Sequence, residues 1–159
     1  MGNGDGMLSE GSQQLILLVR ARGLVCALPL PGVVETMRPL PVESLAGRPP
    51  FVRGVSVIRG RPAPVIDLED LIGGDGSAAP AARFVTIRTG DRLAALAVSG
   101  VLGLRRLDPA AMEQLPPLLR GAGESAIRAM SALDSELLAV LDAGRLVPDD
   151  VWRDLERTP

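Results

Sequence analysis

Residues 54–72 read Gly54-Val55-Ser56-Val57-Ile58-Arg59-Gly60-Arg61-Pro62-Ala63-Pro64-Val65-Ile66-Asp67-Leu68-Glu69-Asp70-Leu71-Ile72, and Ala129 to Val147 repeats the pattern without a gap. Val65, Ile66 and Asp67 lie over Val140, Leu141 and Asp142, and Leu71 and Ile72 lie over Leu146 and Val147. Upstream, Ile16 to Pro41 matches Phe84 to Pro109. There Arg20 meets Arg88, Ala27 meets Ala95, Leu28 meets Leu96, Gly32 meets Gly100, Val33 meets Val101, Arg38 meets Arg106 and Pro41 meets Pro109. The offset is 68 in the upstream block and 75 in the downstream one, so the second copy carries a seven-residue insertion, in the loop around Leu115 to Ser125. Two ungapped blocks in the same order indicate an internal duplication.

Each copy reads as β. In the first, Gln14 to Arg20 and Leu24 to Leu28 are apolar runs split by the turn Ala21-Arg22-Gly23, and Val33 to Met37 is a third run. Pro41 to Ala46 is expected to form a short helical turn between Pro39 and Gly47. Phe51 to Ile58 and Ala63 to Asp67 are strands joined at Arg59-Gly60-Arg61-Pro62, with one helical turn at Leu68 to Ile72. The second copy repeats this with Phe84 to Arg88, Leu93 to Val98, Val101 to Leu104, a short helix from Asp108 and Pro109, Ile127 to Leu133 and Leu137 to Asp142. Gly73 to Ala82 is the linker, and Val147, Val151 and Leu155 mark a C-terminal helix. Five short strands per copy, closed on themselves, make a small barrel with no exposed edge. The expected organisation is a disordered N-terminal tail at 1–13, a first barrel at about 14–72, a second at about 83–147, and a C-terminal helix and tail at 148–159.

Composition narrows the chemistry. The 159 residues carry a net charge of −2, no histidine, no tyrosine and one cysteine, Cys26, and all 17 basic residues are arginine. Without histidine the usual general base near neutral pH is missing. One cysteine gives neither a structural zinc set nor an internal disulfide. Aromatics amount to Phe51, Phe84 and Trp152, too few for base stacking, so nucleic acid is a poor partner. The Gly2 to Gly6 run follows no strand and does not read as a phosphate loop. The longest apolar stretch, Leu24 to Val34, is interrupted by Pro29, Pro31 and Gly32, and is short of the roughly 20 residues of a bilayer span. No export signal is read, so the cytoplasm is the expected compartment, with no direct membrane insertion.

At Gly54-Val55-Ser56-Val57-Ile58-Arg59-Gly60 and Pro64-Val65-Ile66-Asp67-Leu68 the sequence resembles the CheW-like chemotaxis coupling proteins, whose pattern there is G-V-x-x-L-R-G followed by P-V-[IV]-D-L. Ala27-Leu28-Pro29-Leu30 with Val33-Val34-Glu35, Phe51-Val52-Arg53-Gly54, Val98-Ser99-Gly100-Val101 and Leu138-Ala139-Val140-Leu141-Asp142 extend the likeness over about residues 14 to 147. The resemblance implies two five-stranded SH3-like barrels around a shared hydrophobic core. It also implies a non-catalytic adaptor, without metal or cofactor, that joins chemoreceptor cytoplasmic tips to the regulatory domain of a CheA-type histidine kinase. The receptor tip is expected in the groove between the barrels. By this likeness Val33, Glu35, Gly54, Arg59, Val98 and Val101 are the candidate receptor-groove residues. Where the family usually has an acid in V-D-x-V, this chain has Ser99.

The duplication adds a test that needs no other sequence. A requirement of the barrel recurs in both copies, whereas a binding feature need not. Glu35 faces Gly103 and Arg59 faces Asp134, so the acid–base couple exists in the first copy alone. Asp67 and Asp142 recur, which marks them as caps of the turns that follow. Three other readings compete: a CheW-like scaffold of a non-motility pathway, a small-ligand sensor, and a hydrolase built on Ser56, Ser99, Asp67 or Asp142. The last has neither histidine nor lysine to activate a hydroxyl.

Overall fold

Ten strands form where the repeat places its apolar runs. The computed structural model describes residues 13–21, 23–73, 80–108, 126–133 and 136–157. The first copy gives β1 (Gln14–Ala21), β2 (Leu24–Pro29), β3 (Val33–Met37), β4 (Val52–Ile58) and β5 (Arg61–Asp67). The second gives β6 (Arg83–Thr89), β7 (Arg92–Val98), β8 (Gly100–Leu107), β9 (Ile127–Leu133) and β10 (Glu136–Leu141). β4 and β9 begin and end at equivalent positions of the repeat. Helix α1 (Leu68–Leu71) starts at Asp67, whose carboxylate accepts the Asp70 N–H at 3.3 Å. Asp142 does the same for the Gly144 N–H at 3.0 Å, opening a 3-10 turn at Ala143–Arg145. Both aspartates therefore cap. Helix α2 (Asp149–Arg157) buries Val151 and Trp152, and the Arg92 guanidinium lies over the Trp152 ring while pairing with Glu156.

The strands pair in two five-stranded sheets, β8-β1-β2-β10-β9 and β3-β6-β7-β5-β4. Neither sheet is one copy, so the division at about 14–72 and 83–147 does not follow the hydrogen bonding. The first copy divides after β2 and the second after β7: β3, β4 and β5 join β6 and β7, while β8, β9 and β10 join β1 and β2. β10 lies parallel to β2, and β5 parallel to β7. The two copies share one apolar alternation, so the β3–β5 and β8–β10 blocks fit either sheet equally well by pattern, and the short turns before β3 and β8 carry them across.

Alternation on the strands gives each sheet two apolar faces. One face of the first sheet closes over Ile16, Leu18, Val25, Ala27, Leu107, Leu138 and Val140. The equivalent face of the second holds Ile58, Ala63, Val65, Phe84, Ala95 and Ala97. The other faces meet in a larger shared core that includes Leu28, Ile66, Val85, Ile87, Leu96 and Leu141. The fold is therefore mainly β, with two pseudo-repeated five-stranded units packed around a common hydrophobic core.

The segment after β3 corrects one expectation. Pro41 to Ala46 is not a helical turn. Glu43 runs extended beside β4 and exchanges both backbone hydrogen bonds with Val55, at 2.8 and 2.9 Å. The Ser56 hydroxyl ties the same segment by donating to the Pro41 carbonyl at 2.7 Å. Pro39 and Pro41 have no N–H for a helix, and the open flank of β4 offers Glu43 partners for both its backbone groups. The strap links the two edge strands of its sheet, β3 and β4. The helix expected to start at Asp108 lies outside the described residues from Pro109 onward, as does the Leu115 to Ser125 insertion.

Candidate functional site

The β4–β5 connection is a two-residue hairpin turn. Ile58 pairs with Arg61, and Arg59 and Gly60 both have positive φ, +50° and +78°, as a type I′ turn requires. Among the described residues Arg59 is the one non-glycine with positive φ. Asparagine or glycine suits that conformation better, so arginine stands there for its side chain.

That side chain reaches back to β3. The Arg59 Nη2 donates to Glu35 Oε2 at 2.6 Å and Nε donates to Oε1 at 3.2 Å, a two-pronged fit of guanidinium to carboxylate. The Glu35 hydrogen bond, and then its charge, hold the guanidinium above its already high ordinary pKa. Glu35 is the more enclosed partner, at 28% side-chain exposure, and Arg59 is open at 73%. An exposed pair adds little to stability. It leaves a charged, planar group on the surface with part of its donor edge free for another molecule.

Glu35 is aimed by a β-bulge. Val33 pairs with Ile87 and Glu35 with Thr86, which leaves Val34 as the extra residue. The bulge recurs in the second copy, where Val19 pairs with Val101 and Leu18 with Gly103, so Leu102 is extra. Val34 and Leu102 both expose their side chains. The bulge is thus a property of the barrel, while the carboxylate that it carries belongs to the first copy alone.

The six candidate residues divide. Glu35 and Arg59 are in direct contact, and Val33 lies two residues before Glu35 on β3. Val33 and Val101 are half-buried against the shared core at equivalent places in the two sheets. Val98 is a buried member of that core, with 2% exposure, one residue before the chain turns outward at Ser99. Gly54 is buried, with φ +147°, and the backbone that approaches it is the chain's own Glu43 carbonyl. Ser99 donates both its hydroxyl, at 2.7 Å, and its N–H, at 2.9 Å, to the Arg20 carbonyl, and so fastens the β7–β8 turn to the end of β1.

Two further residues carry the local geometry. Arg53 grips Asp67 with Nε at 2.8 Å and Nη2 at 2.6 Å, and the Asp67 side chain is almost fully enclosed. The repeat held a signal for this pair, since Arg53 and Asp67 stand over Arg128 and Asp142. Thr86, which contacts the Glu35 backbone, stands over Leu18 and is the polar member of an apolar pair. Ser56 is buried and spends its hydroxyl on Pro41, and Asp67 is held by Arg53 and Asp70. Neither is placed for acid–base or nucleophilic work.

Clefts of about 470, 450 and 340 Å³ lie elsewhere: beside α2 and the 45–49 loop, between the start of β1 and Arg106 and Arg128, and between α2 and the β6–β7 turn. Neither Glu35 nor Arg59 lines any of them. The pair sits on open surface, which suits a macromolecular partner better than an enclosed small molecule. Among the described residues no helix is long and apolar enough to cross a membrane.

The fold is thus a duplicated pair of five-stranded units with a surface ion pair on one side. The chain matches the CheW-like domain over residues 15–151 and belongs to that family of scaffold and adaptor proteins in chemotaxis-type signalling. It is 33% identical over 110 residues to Protein FrzA of Myxococcus xanthus, covering 69% of this chain and 68% of the relative. The fold is similar to the crystal structure of the scaffolding protein TtCheW from Thermoanaerobacter tengcongensis, with a TM-score of 0.72 and 20% identity over 82% of this chain and 89% of that one.

Proposed function

We propose that the protein is a non-catalytic adaptor of the cytoplasm that couples chemoreceptor cytoplasmic tips to the regulatory domain of a CheA-type histidine kinase. The observation that carries this reading is the Glu35–Arg59 pair. It is bidentate, exposed, mounted on a strained turn, and confined to one of two otherwise equivalent copies. Stability does not ask for it, so the asymmetry is a matter of what the surface meets. Arg59 can offer its remaining donors to a carboxylate or to the free carbonyls at a helix end. Glu35 keeps the guanidinium from folding onto its own backbone, and Val33 lies beside it as an apolar contact. Modest interfaces suffice, because simultaneous binding to receptor and kinase raises the effective concentration of each contact.

The test is affinity for a purified receptor-tip fragment and for a kinase regulatory domain. Arg59→Ala is expected to weaken binding of the tip by about tenfold or more, the usual consequence of truncating an arginine anchor. Circular dichroism and the urea midpoint should stay those of the wild type, since the group is exposed. Unchanged tip affinity in Arg59→Ala refutes the role given to the pair, and failure of the wild type to bind either fragment refutes the adaptor reading.

A further inference from the structure

We infer that the buried hydroxyl of Thr86 is a positioning group for the Glu35–Arg59 pair, an inference that rests on reading that pair as the partner contact. Thr86 sits on β6 directly opposite Glu35 and is 1% exposed. Its Oγ1 accepts the Glu35 N–H at 3.1 Å and donates to the Glu35 carbonyl at 3.2 Å. One side chain thus holds both backbone groups of the residue whose carboxylate meets Arg59. The bulge at Val34 interrupts the ladder at this point, and the hydroxyl takes up the groups that the interruption leaves.

The duplication supplies the control. The residue equivalent to Thr86 is Leu18, which is buried among Ile16, Val25, Ala27 and Val140 inside the other sheet. Leu18 stands opposite Gly103 at the matching bulge. That bulge forms with no hydroxyl, so the barrel does not need one. Thr86 lies on the same face of β6 as Phe84, which packs with Val65, Ala95 and Ala97, a setting in which an aliphatic side chain is the natural choice. Burying a hydroxyl there is unfavourable unless it is bonded, and the bonds it makes are to Glu35. The copy with a charged residue after the bulge has the hydroxyl, and the copy with glycine there has leucine.

The geometry explains the coupling. Fixing both the N–H and the carbonyl of Glu35 fixes the backbone on either side of its Cα, and hence the direction of its Cβ. A bidentate fit of carboxylate to guanidinium tolerates little error in that direction. Among the described residues, Glu35 is the one that holds the Arg59 head group, which is 73% exposed on its hairpin turn. Thr86 acts on the surface through Glu35 and touches no partner itself.

Thr86→Val keeps the shape and removes the hydroxyl, and Thr86→Ser keeps the hydroxyl. The first readout needs no partner: the Arg59 Nε–H resonance, displaced and slow to exchange when it is bonded to Glu35. It is expected to move to the position and exchange rate of a free arginine in Thr86→Val, and to return in Thr86→Ser. The second readout is tip affinity, expected to fall about five- to tenfold in Thr86→Val, to be restored by Thr86→Ser, and to show no further loss when Thr86→Val is added to Arg59→Ala. An Arg59 signal unmoved by Thr86→Val overturns the positioning role, whatever the affinities. A moved signal with unchanged tip affinity leaves the positioning role standing and overturns the partner reading of the pair. Equal loss of affinity from Thr86→Val in the presence and absence of Arg59 assigns the hydroxyl to general stability and also overturns the inference.

Discussion

Gly54→Ala is expected to lower the unfolding free energy by about 3 kcal/mol or more, the sum of backbone strain and a contact that cannot relax. A Cβ at this position meets the Glu43 carbonyl oxygen at 2.0 Å, its carbon at 2.8 Å and the Val42 Cγ1 at 3.0 Å, and the backbone has φ +147°. The obstacle is main chain and is tied down. Glu43 holds Val55 through two backbone hydrogen bonds, and Pro41 holds the Ser56 hydroxyl. Relief requires lifting the strap from β4, which opens the sheet edge that it covers. Gly47→Ala is the matched control. It also has positive φ, +72°, but an added Cβ meets nothing within 4 Å, so its cost is the left-handed conformation alone, about 1 kcal/mol. Urea unfolding of both variants at constant m-value measures the difference. A Gly54→Ala protein as stable as Gly47→Ala would mean that the strap gives way freely and does not brace the sheet.

The same glycine shows where a sequence stops being informative. Its position within the β4 run was visible, and so was the fit of glycine to a close backbone approach, but the approaching chain was not. Glu43 is eleven residues away, in a stretch whose prolines resemble those of a helix start. The repeat was far more informative than any single motif. It located the strands of both copies, identified Asp67 and Asp142 as caps, and isolated Glu35 and Arg59 as a couple that the second copy lacks. It was silent on the exchange of β3–β5 and β8–β10 between sheets, because two copies with the same alternation offer each strand two equally good neighbours. Val98 shows the same limit at smaller scale. An apolar residue one step before a turn can close a core or line a groove, and only the direction of the turn at Ser99 decides. Thr86 lay in plain view over Leu18. A threonine in an apolar strand signals nothing until its hydroxyl is seen between the two backbone groups of Glu35.

Alkali is expected to destabilise this protein through one atom. Cys26 is buried at the centre of the shared core, and burial pushes its thiol from 9.0 up to about 12. In the unfolded chain the thiol ionises near 9, while in the folded chain it keeps its proton to about 12. Above pH 9 the unfolded state therefore binds fewer protons than the native one, and stability falls as pH rises. The slope approaches about 1.4 kcal/mol per pH unit, and the loss across the whole window is on the order of 4 kcal/mol. Below pH 9 the thiol is neutral in both states and contributes no slope. In most proteins lysine and tyrosine would obscure this window, but this chain has neither. Arginine ionises above it, carboxylates and an α-amino group below it. Urea midpoints measured from pH 8 to pH 11.5 should fall for the wild type and stay level for Cys26→Ala. The alanine is sterically natural, since the equivalent residue of the second copy is Ala94, buried in the same core. At pH 8 the enclosed thiol should also resist a thiol reagent until urea unfolds the chain, because the reacting species is the thiolate. A Cys26→Ala protein that loses stability in parallel with the wild type would place the alkaline transition somewhere other than the core thiol, and rapid labelling of the native protein at pH 8 would show that the space between the two sheets admits water.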